Sequence, residues 1–172
     1  MSAGRSSKAG KPSRSAARSA ARQLTMQALY QWQVGGNDMQ QVEMHIRAAL
    51  PDDNLEAYED ISEALKTADL AYFHEITQAM PHQQKALDES FAPFLDRRVN
   101  ELDPIELAIL RLGAYELTQR LDVPYRVVIN EAVELGKRFG GTDSHKYING
   151  ILDKLAQRAR FAEIQARREK RT

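Results

Sequence analysis

Three arginines spaced by four residues, Arg14, Arg18 and Arg22, lie on the first predicted helix, and no acidic residue precedes Asp38. Residues four apart share one side of a helix, so these arginines are predicted to form a basic stripe. A guanidinium can bind a phosphate with two hydrogen bonds and can also stack on a base. Cations are unfavourable at a helix N-terminus, which favours a role other than folding. The stripe predicts nucleic-acid binding; a basic segment that only raises solubility is the alternative.

A second group of polar residues surrounds the turn predicted after Phe139. Lys137, Arg138 and Lys146 are clustered around it. Phe139 ends the apolar stripe of its helix, which leaves one face of its ring available. The alternative is structural: the first two bases could compensate the helix C-terminus, and Asp143 could serve only as a helix cap.

Two aromatic residues near the end of the first helix need separate predictions. Tyr30 could stack on a base or fill the core, and the core is the commoner place for a lone aromatic residue in a helix. Trp32 falls on the apolar stripe of the helix and is predicted to lie in the core.

Residue types and spacings give no support for catalysis or a metal site. The chain has no cysteine, which excludes disulfides, thiolate ligands and thiol nucleophiles. A nucleophile elbow and a glycine-rich phosphate loop are both missing from the sequence. The four histidines, at positions 45, 74, 82 and 145, do not show metal-ligand spacing. We therefore expect neither enzymatic activity nor a cofactor.

Charge is strongly segregated although the formal net charge is zero. Residues 1–36 carry six bases and no acid, residues 37–103 carry 15 acids and five bases, and residues 104–172 carry 13 bases and nine acids. Such asymmetry lets one end bind a polyanion, whereas the acidic middle would repel RNA and could face a basic protein. The sequence lacks an apolar run near the roughly 20 residues that cross a bilayer, so a cytoplasmic protein is predicted.

Apolar periodicity predicts an all-α fold. Helices are expected over residues 13–34, 38–50, 54–66, 69–80, 82–92, 104–119, 122–139 and 143–159, with a stop near Pro81. Asp122 is a candidate N-cap, Gly140 is expected to be left-handed, and Gly150 is expected to allow a close helix contact. The predicted organisation is a disordered basic leader at 1–13, helical subdomains at 14–93 and 94–160, and a charged tail at 161–172 that frays. An organellar transit peptide is a minor alternative for the leader.

Two long segments resemble the NusB family of transcription antitermination proteins. They are ARQLTMQALYQWQ at residues 21–33 and LDRRVNELDPIELAILRLGAYELTQRLDVPYRVVINEAVELGKRFGGTDSHKYINGILDK at residues 95–154. The resemblance implies an all-helical fold of two small bundles packed side by side, and no catalysis. It also implies binding of boxA, a short single-stranded RNA element of ribosomal RNA operons, together with the small-subunit ribosomal protein NusE. Other Nus factors and RNA polymerase are further implied partners.

Matching the motifs residue by residue assigns an RNA-binding set. The resemblance implies Arg14, Arg18, Arg22, Tyr30, Phe139, Gly140, Asp143, Ser144 and Lys146, and Lys137 joins them from the basic cluster at the turn. The arginines of the stretch RSAARSAARQ are sparser than in many family members, and Arg5, Lys8 and Lys11 could compensate. Alternatives are a helical protein–protein adaptor without RNA contact and the substrate-binding domain of an RNA methyltransferase. Apolar faces could close within one chain or in a homodimer.

Overall fold

The chain folds into helices throughout the part that the computed structural model describes, residues 10–49 and 55–171. The helices are α1 (Arg14–Gly35), α2 (Met39–Ala48), α3 (Leu55–Thr67), α4 (Leu70–Phe91), α5 (Pro104–Gln119), α6 (Tyr125–Phe139), α7 (Ser144–Ala159) and α8 (Phe161–Glu169), with 3-10 turns at Ala92–Phe94 and Val99–Glu101. The prediction of an all-α fold is confirmed. Of the predicted leader, residues 1–9 lie outside the described residues. None of the helices described is long and apolar enough to span a membrane.

Side-chain caps fix where several helices begin. Ser13 Oγ accepts a hydrogen bond from the Ala16 amide at the start of α1, at 3.0 Å. Asp38, Asp69 and Asp103 cap α2, α4 and α5 in the same way. An uncapped helix start leaves backbone amides without acceptors, so each cap stabilises its helix by about 1 kcal/mol. Three acids of the acidic middle are therefore used as caps.

Helix α5 lies at the centre of the molecule, as its nearly continuous apolar sequence predicts. It packs against α1, α4, α6 and α7. Gly113 brings α5 close to α7, because a Cβ there would lie 2.7 Å from Leu152 Cδ1. One buried apolar cluster includes Leu24 and Phe73 from the first predicted subdomain and Ile109 from the second. The boundary near residue 94 stays a prediction.

The predicted helix stop at Pro81 is wrong, because α4 continues from Leu70 to Phe91. Proline lacks the amide that would bond to the carbonyl of Thr77, which disfavours a helix interior. Pro81 is nevertheless exposed, whereas Met80 and Leu87 on either side of it are buried in the core. Packing of this apolar face holds the helix together across the proline.

The predicted frayed tail is also wrong, because residues Phe161–Glu169 form α8. The buried Arg160 precedes it and donates to the carbonyl oxygens at the end of α5, including that of Leu117 at 2.7 Å. Glu163 Oε1 accepts a hydrogen bond from the Tyr125 amide at the start of α6, at 3.0 Å. Asp122, the predicted cap of α6, instead binds Arg120. These contacts explain why a charged segment is ordered.

Candidate nucleic-acid interface

The three arginines of α1 differ greatly in exposure. Arg14 is exposed, and Arg18 is half-buried. Arg22 is only 2% exposed, and it donates to Glu116 through Nε at 2.8 Å and through Nη2 at 2.9 Å. The assignment of Arg22 as a surface contact for RNA is therefore corrected, because its guanidinium is enclosed in an ion pair between α1 and α5.

Glu116 connects this ion pair to a buried tyrosine. Tyr72 Oη donates to Glu116 Oε2 at 2.6 Å. Burial raises the pKa of Tyr72, and the neighbouring Glu116 carboxylate raises it further, so the hydroxyl remains a donor at neutral pH. Burial lowers the pKa of Arg22, but the hydrogen bond and charge of Glu116 outweigh burial and raise it overall. The arrangement is that of a structural network that ties α1, α4 and α5 together.

Arg18 occupies an intermediate position. Its guanidinium lies 4.7 Å from the centre of the Tyr72 ring and 3.7 Å from Asp122 Oδ2. No acid lies near the stripe in the sequence, but Asp122, Glu116 and Glu131 all approach it from distant parts of the chain. Only the N-terminal end of α1 therefore presents an arginine without a described ion pair, at Arg14.

The turn between α6 and α7 is held by Ser144, which sequence matching assigned to RNA. Ser144 is buried; its hydroxyl accepts a hydrogen bond from the Gly141 amide at 3.0 Å and donates to Glu106 Oε1 at 2.7 Å. Its predicted direct contact is therefore corrected to a structural one. Gly140 has φ −87°, so the expected left-handed conformation is also wrong. A Cβ at Gly140 would lie 2.7 Å from the Gly136 carbonyl oxygen, so glycine is required for close approach.

The outer side of the same turn is exposed and charged. Asp143 and Lys146 are exposed and form an ion pair at 3.5 Å. The Asp143 side chain therefore does not cap α7 as predicted. Lys137 is exposed and lies 3.4 Å from Glu134. Phe139 is half-buried, with the Arg138 guanidinium 4.8 Å from its ring centre. Both ion pairs are largely exposed to water, where such pairs contribute little to stability and exchange readily.

Tyr30 is 38% exposed, so the expectation that it fills the core is wrong. Trp32 is half-buried and packs against the core, which confirms its prediction. At 3.6 residues per turn, Tyr30 lies about 20° around α1 from Gln23 but about 120° from Arg18. Tyr30 and the arginines therefore do not form one continuous stripe.

Helix α6 packs against the middle of α1, at Ser19 and Gln23. Ser19 Oγ donates to Glu131 Oε1 at 2.7 Å, and Arg138 Nη1 donates to Gln23 Oε1 at 2.7 Å. The two helices therefore run in the same direction, and Tyr30 lies about 10 Å beyond Gln23, towards the turn after Phe139. An open groove of about 540 Å³ is lined by residues of α1, α3 and α6. Sequence reasoning missed its lining residues, because their proximity depends on the packing of three helices.

Known proteins that resemble this chain in sequence and in structure are NusB proteins. The family model described as "NusB family" matches residues 19–157. The chain belongs to the NusB family. It is 56% identical over 151 residues to the transcription antitermination protein NusB of Chromohalobacter salexigens, covering 88% of this chain and 91% of that protein. It is 52% identical over 159 residues to the protein of that name from Marinomonas sp., covering 92% and 85%.

A solved NusB structure agrees with the fold. The T. maritima NusB chain superposes with a TM-score of 0.62 at 28% identity, covering 81% of this chain and 90% of that one. The resemblance to the NusB family is confirmed, as is the all-helical architecture that it implied. NusB proteins are transcription antitermination factors and not enzymes, which agrees with the expected lack of catalysis.

Proposed function

We propose that this protein binds single-stranded boxA RNA together with NusE and promotes processive transcription of ribosomal RNA operons. Membership of the NusB family is the observation that carries this proposal. The protein would act in the cytoplasm, in a complex with other Nus factors and RNA polymerase. It would contribute binding surfaces and no reaction chemistry of its own.

The exposed residues support a division between phosphate and base contacts. Arg14, Lys137 and Lys146 are exposed cations that can approach phosphates, and the half-buried Arg18 can do so where it borders the solvent beside Asp122. Tyr30 and Phe139 are the aromatic residues on which unpaired bases would stack. Gly140 shapes the turn, and Asp143 can accept hydrogen bonds from base amino groups.

The middle of α1 is buried in the bundle, so RNA cannot follow α1 along its whole length. We therefore place the RNA path along the outer face of α6. Arg126 and Asn130 are four residues apart on this face, and Lys137 follows seven residues later on the same side. All three are exposed. An asparagine amide can donate and accept hydrogen bonds, so it suits the edge of an unpaired base. This path connects the Arg14 end of the molecule with the turn at Phe139.

The NusE contact is proposed for the acidic middle of the chain. Part of that acidity has internal partners: Glu43 binds His74 and Arg47, and Asp88 binds Arg111. Glu59, Glu89 and Glu101 are exposed, and of these Glu101 also accepts a hydrogen bond from the Arg98 amide, so all three carry charge that a basic protein can meet. Charge reversal at these three positions should weaken NusE binding at low salt, and unchanged affinity would remove this part of the proposal.

A helical adaptor without RNA contact is the second candidate, favoured by the ion pairs of Arg18 and Arg22. Titration of a short boxA RNA with and without NusE, at two salt concentrations, separates the two functions. We expect binding that strengthens with NusE and weakens with salt, and Arg14→Ala should reduce the salt slope by about 0.7 for a single strand. RNA that fails to bind in dilute buffer even with NusE would refute the proposal and leave the adaptor.

A further inference from the structure

We propose that the Asp122 carboxylate competes with an RNA phosphate for the Arg18 guanidinium, and so restrains RNA affinity. This inference rests on the proposed RNA-binding function and names a regulating residue of that site. Three observations support it: Arg18 lacks hydrogen-bond acceptors in the described part of the chain, Asp122 is bound by another arginine, and the Arg18–Asp122 pair is open to solvent.

Arg18 has an incomplete set of partners. Its Nε is buried and has no hydrogen-bond acceptor among the described residues. The 3.7 Å separation between Nη1 and Asp122 Oδ2 exceeds the usual length of a charged hydrogen bond. The Tyr72 ring supports the guanidinium from one side but accepts no strong hydrogen bond. Since Nε is enclosed, a phosphate would bind the Nη groups of Arg18, for which the described residues supply no hydrogen bond.

Asp122 does not depend on Arg18 for its own stabilisation. Arg120 donates to both of its carboxylate oxygens, through Nε at 3.0 Å and through Nη2 at 3.1 Å. Arg120 is held in turn by Glu75, with Nη1 2.7 Å from Oε1. If Arg18 moved away, the Asp122 carboxylate would stay paired with Arg120. The Arg18–Asp122 pair can therefore open without leaving the carboxylate unpaired.

The exposure of the two side chains allows the exchange. Asp122 is 52% exposed and Arg18 is 15% exposed, whereas both members of the Arg22–Glu116 pair are almost completely buried. A phosphate arriving from solvent can therefore reach Arg18 at the side where Asp122 lies, but it cannot reach Arg22. Until the phosphate replaces it, the Asp122 carboxylate occupies this position and repels the incoming charge.

The first test is Asp122→Asn, which removes the charge but keeps the shape of the side chain. We expect boxA affinity at low salt to rise roughly two- to fivefold, the effect of one exposed ion pair. Asp153→Asn is the matched control, since Asp153 is an exposed acid of α7 outside the proposed site and its loss changes the net charge equally. Thermal unfolding of each variant reports whether the fold is retained.

Repeating Asp122→Asn in an Arg18→Ala background identifies the cause. The gain should largely disappear there if Asp122 acts through Arg18. An equal gain in both backgrounds, or an equal gain from Asp153→Asn, would show a general field effect and overturn the proposal. Unchanged or weaker RNA binding by Asp122→Asn would overturn it as well.

A second measurement does not need RNA. The Nε–H signal of Arg18 in a nitrogen–proton NMR spectrum should shift on addition of inorganic phosphate, and it should shift at lower phosphate concentration in Asp122→Asn. If RNA fails to bind but this response occurs, the proposed function fails while the competition between carboxylate and phosphate stands. An Arg18 signal that ignores phosphate in both proteins would overturn the inference itself.

Discussion

Replacement of Arg22 by alanine should lower the stability of the fold, because Arg22 belongs to a buried ion pair and not to the surface proposed to bind RNA. The change removes three hydrogen bonds to Glu116, of 2.8, 2.9 and 3.1 Å, and leaves a carboxylate that is 1% exposed with Tyr72 as its remaining neutral donor. Breaking one side of a buried ion pair costs about 3–5 kcal/mol. For a chain of this size such a loss lowers Tm by roughly 6–20 °C.

Urea unfolding followed by helical circular dichroism measures this loss directly, and Arg14→Ala is the control from the exposed end of the same helix. We expect Arg14→Ala to change stability by less than about 0.5 kcal/mol. The double variant Arg22→Met with Glu116→Leu removes both charges and should recover much of the lost stability. If Arg22→Ala were as stable as the wild type while RNA binding was lost, the structural role assigned to Arg22 would be refuted.

Four further changes probe other parts of the structure. Tyr30→Ala should weaken boxA binding by about 1–3 kcal/mol with little effect on Tm, whereas a lower Tm with normal binding would return the residue to the core. Burial raises the pKa of Glu43, but its hydrogen bonds outweigh burial and lower the pKa below its usual 4.5. The stability that Glu43 contributes is therefore present above that pH and is lost as the pH falls. The stability of Glu43→Gln should accordingly depend less on acid pH than that of the wild type. Gly140→Ala should destabilise the fold by about 1–3 kcal/mol through overpacking. The expectation that Gly150 allows a close helix contact is wrong, because a Cβ there would have no described atom of another element within 4 Å, so Gly150→Ala should stabilise α7 by up to about 1 kcal/mol.

Local signals in the sequence predicted the helices well where cap and apolar period agree. Asp103 followed by Pro104 predicted the start of α5, and the structure begins this helix at Pro104 with Asp103 as its cap. The prediction failed at Pro81, where burial of neighbouring apolar residues outweighs the preference of proline for helix ends. It also failed at α8, whose order depends on contacts of Arg160 and Glu163 with α5 and α6. Those contacts join residues about 40 positions apart, so no local pattern could indicate them.

The candidate site was predictable in residue type but only partly in exposure. Family motifs assigned Ser144 to RNA because it follows the turn, yet its hydroxyl is directed at Glu106 on another helix. For Tyr30 the core was the commoner of two predicted places, yet its side chain faces outward while Leu29 beside it is buried. In both cases the deciding quantity is the position of a neighbouring helix, which sequence spacing does not contain.

The arginines of α1 show how one repeated spacing can produce three different roles. Each step of four residues moves about 6 Å along the helix, and over two such steps α1 passes from solvent into the bundle. Arg14 remains exposed, Arg18 lies where Asp122 and Tyr72 border the solvent, and Arg22 meets Glu116 in the interior. A guanidinium keeps its charge in all three places, so the carboxylates supplied by α5 and the loop before α6 decide which charge stays available to a phosphate. The electrostatic attraction for RNA should therefore be concentrated at the first turn of α1 and along α6, and it should decrease towards the core.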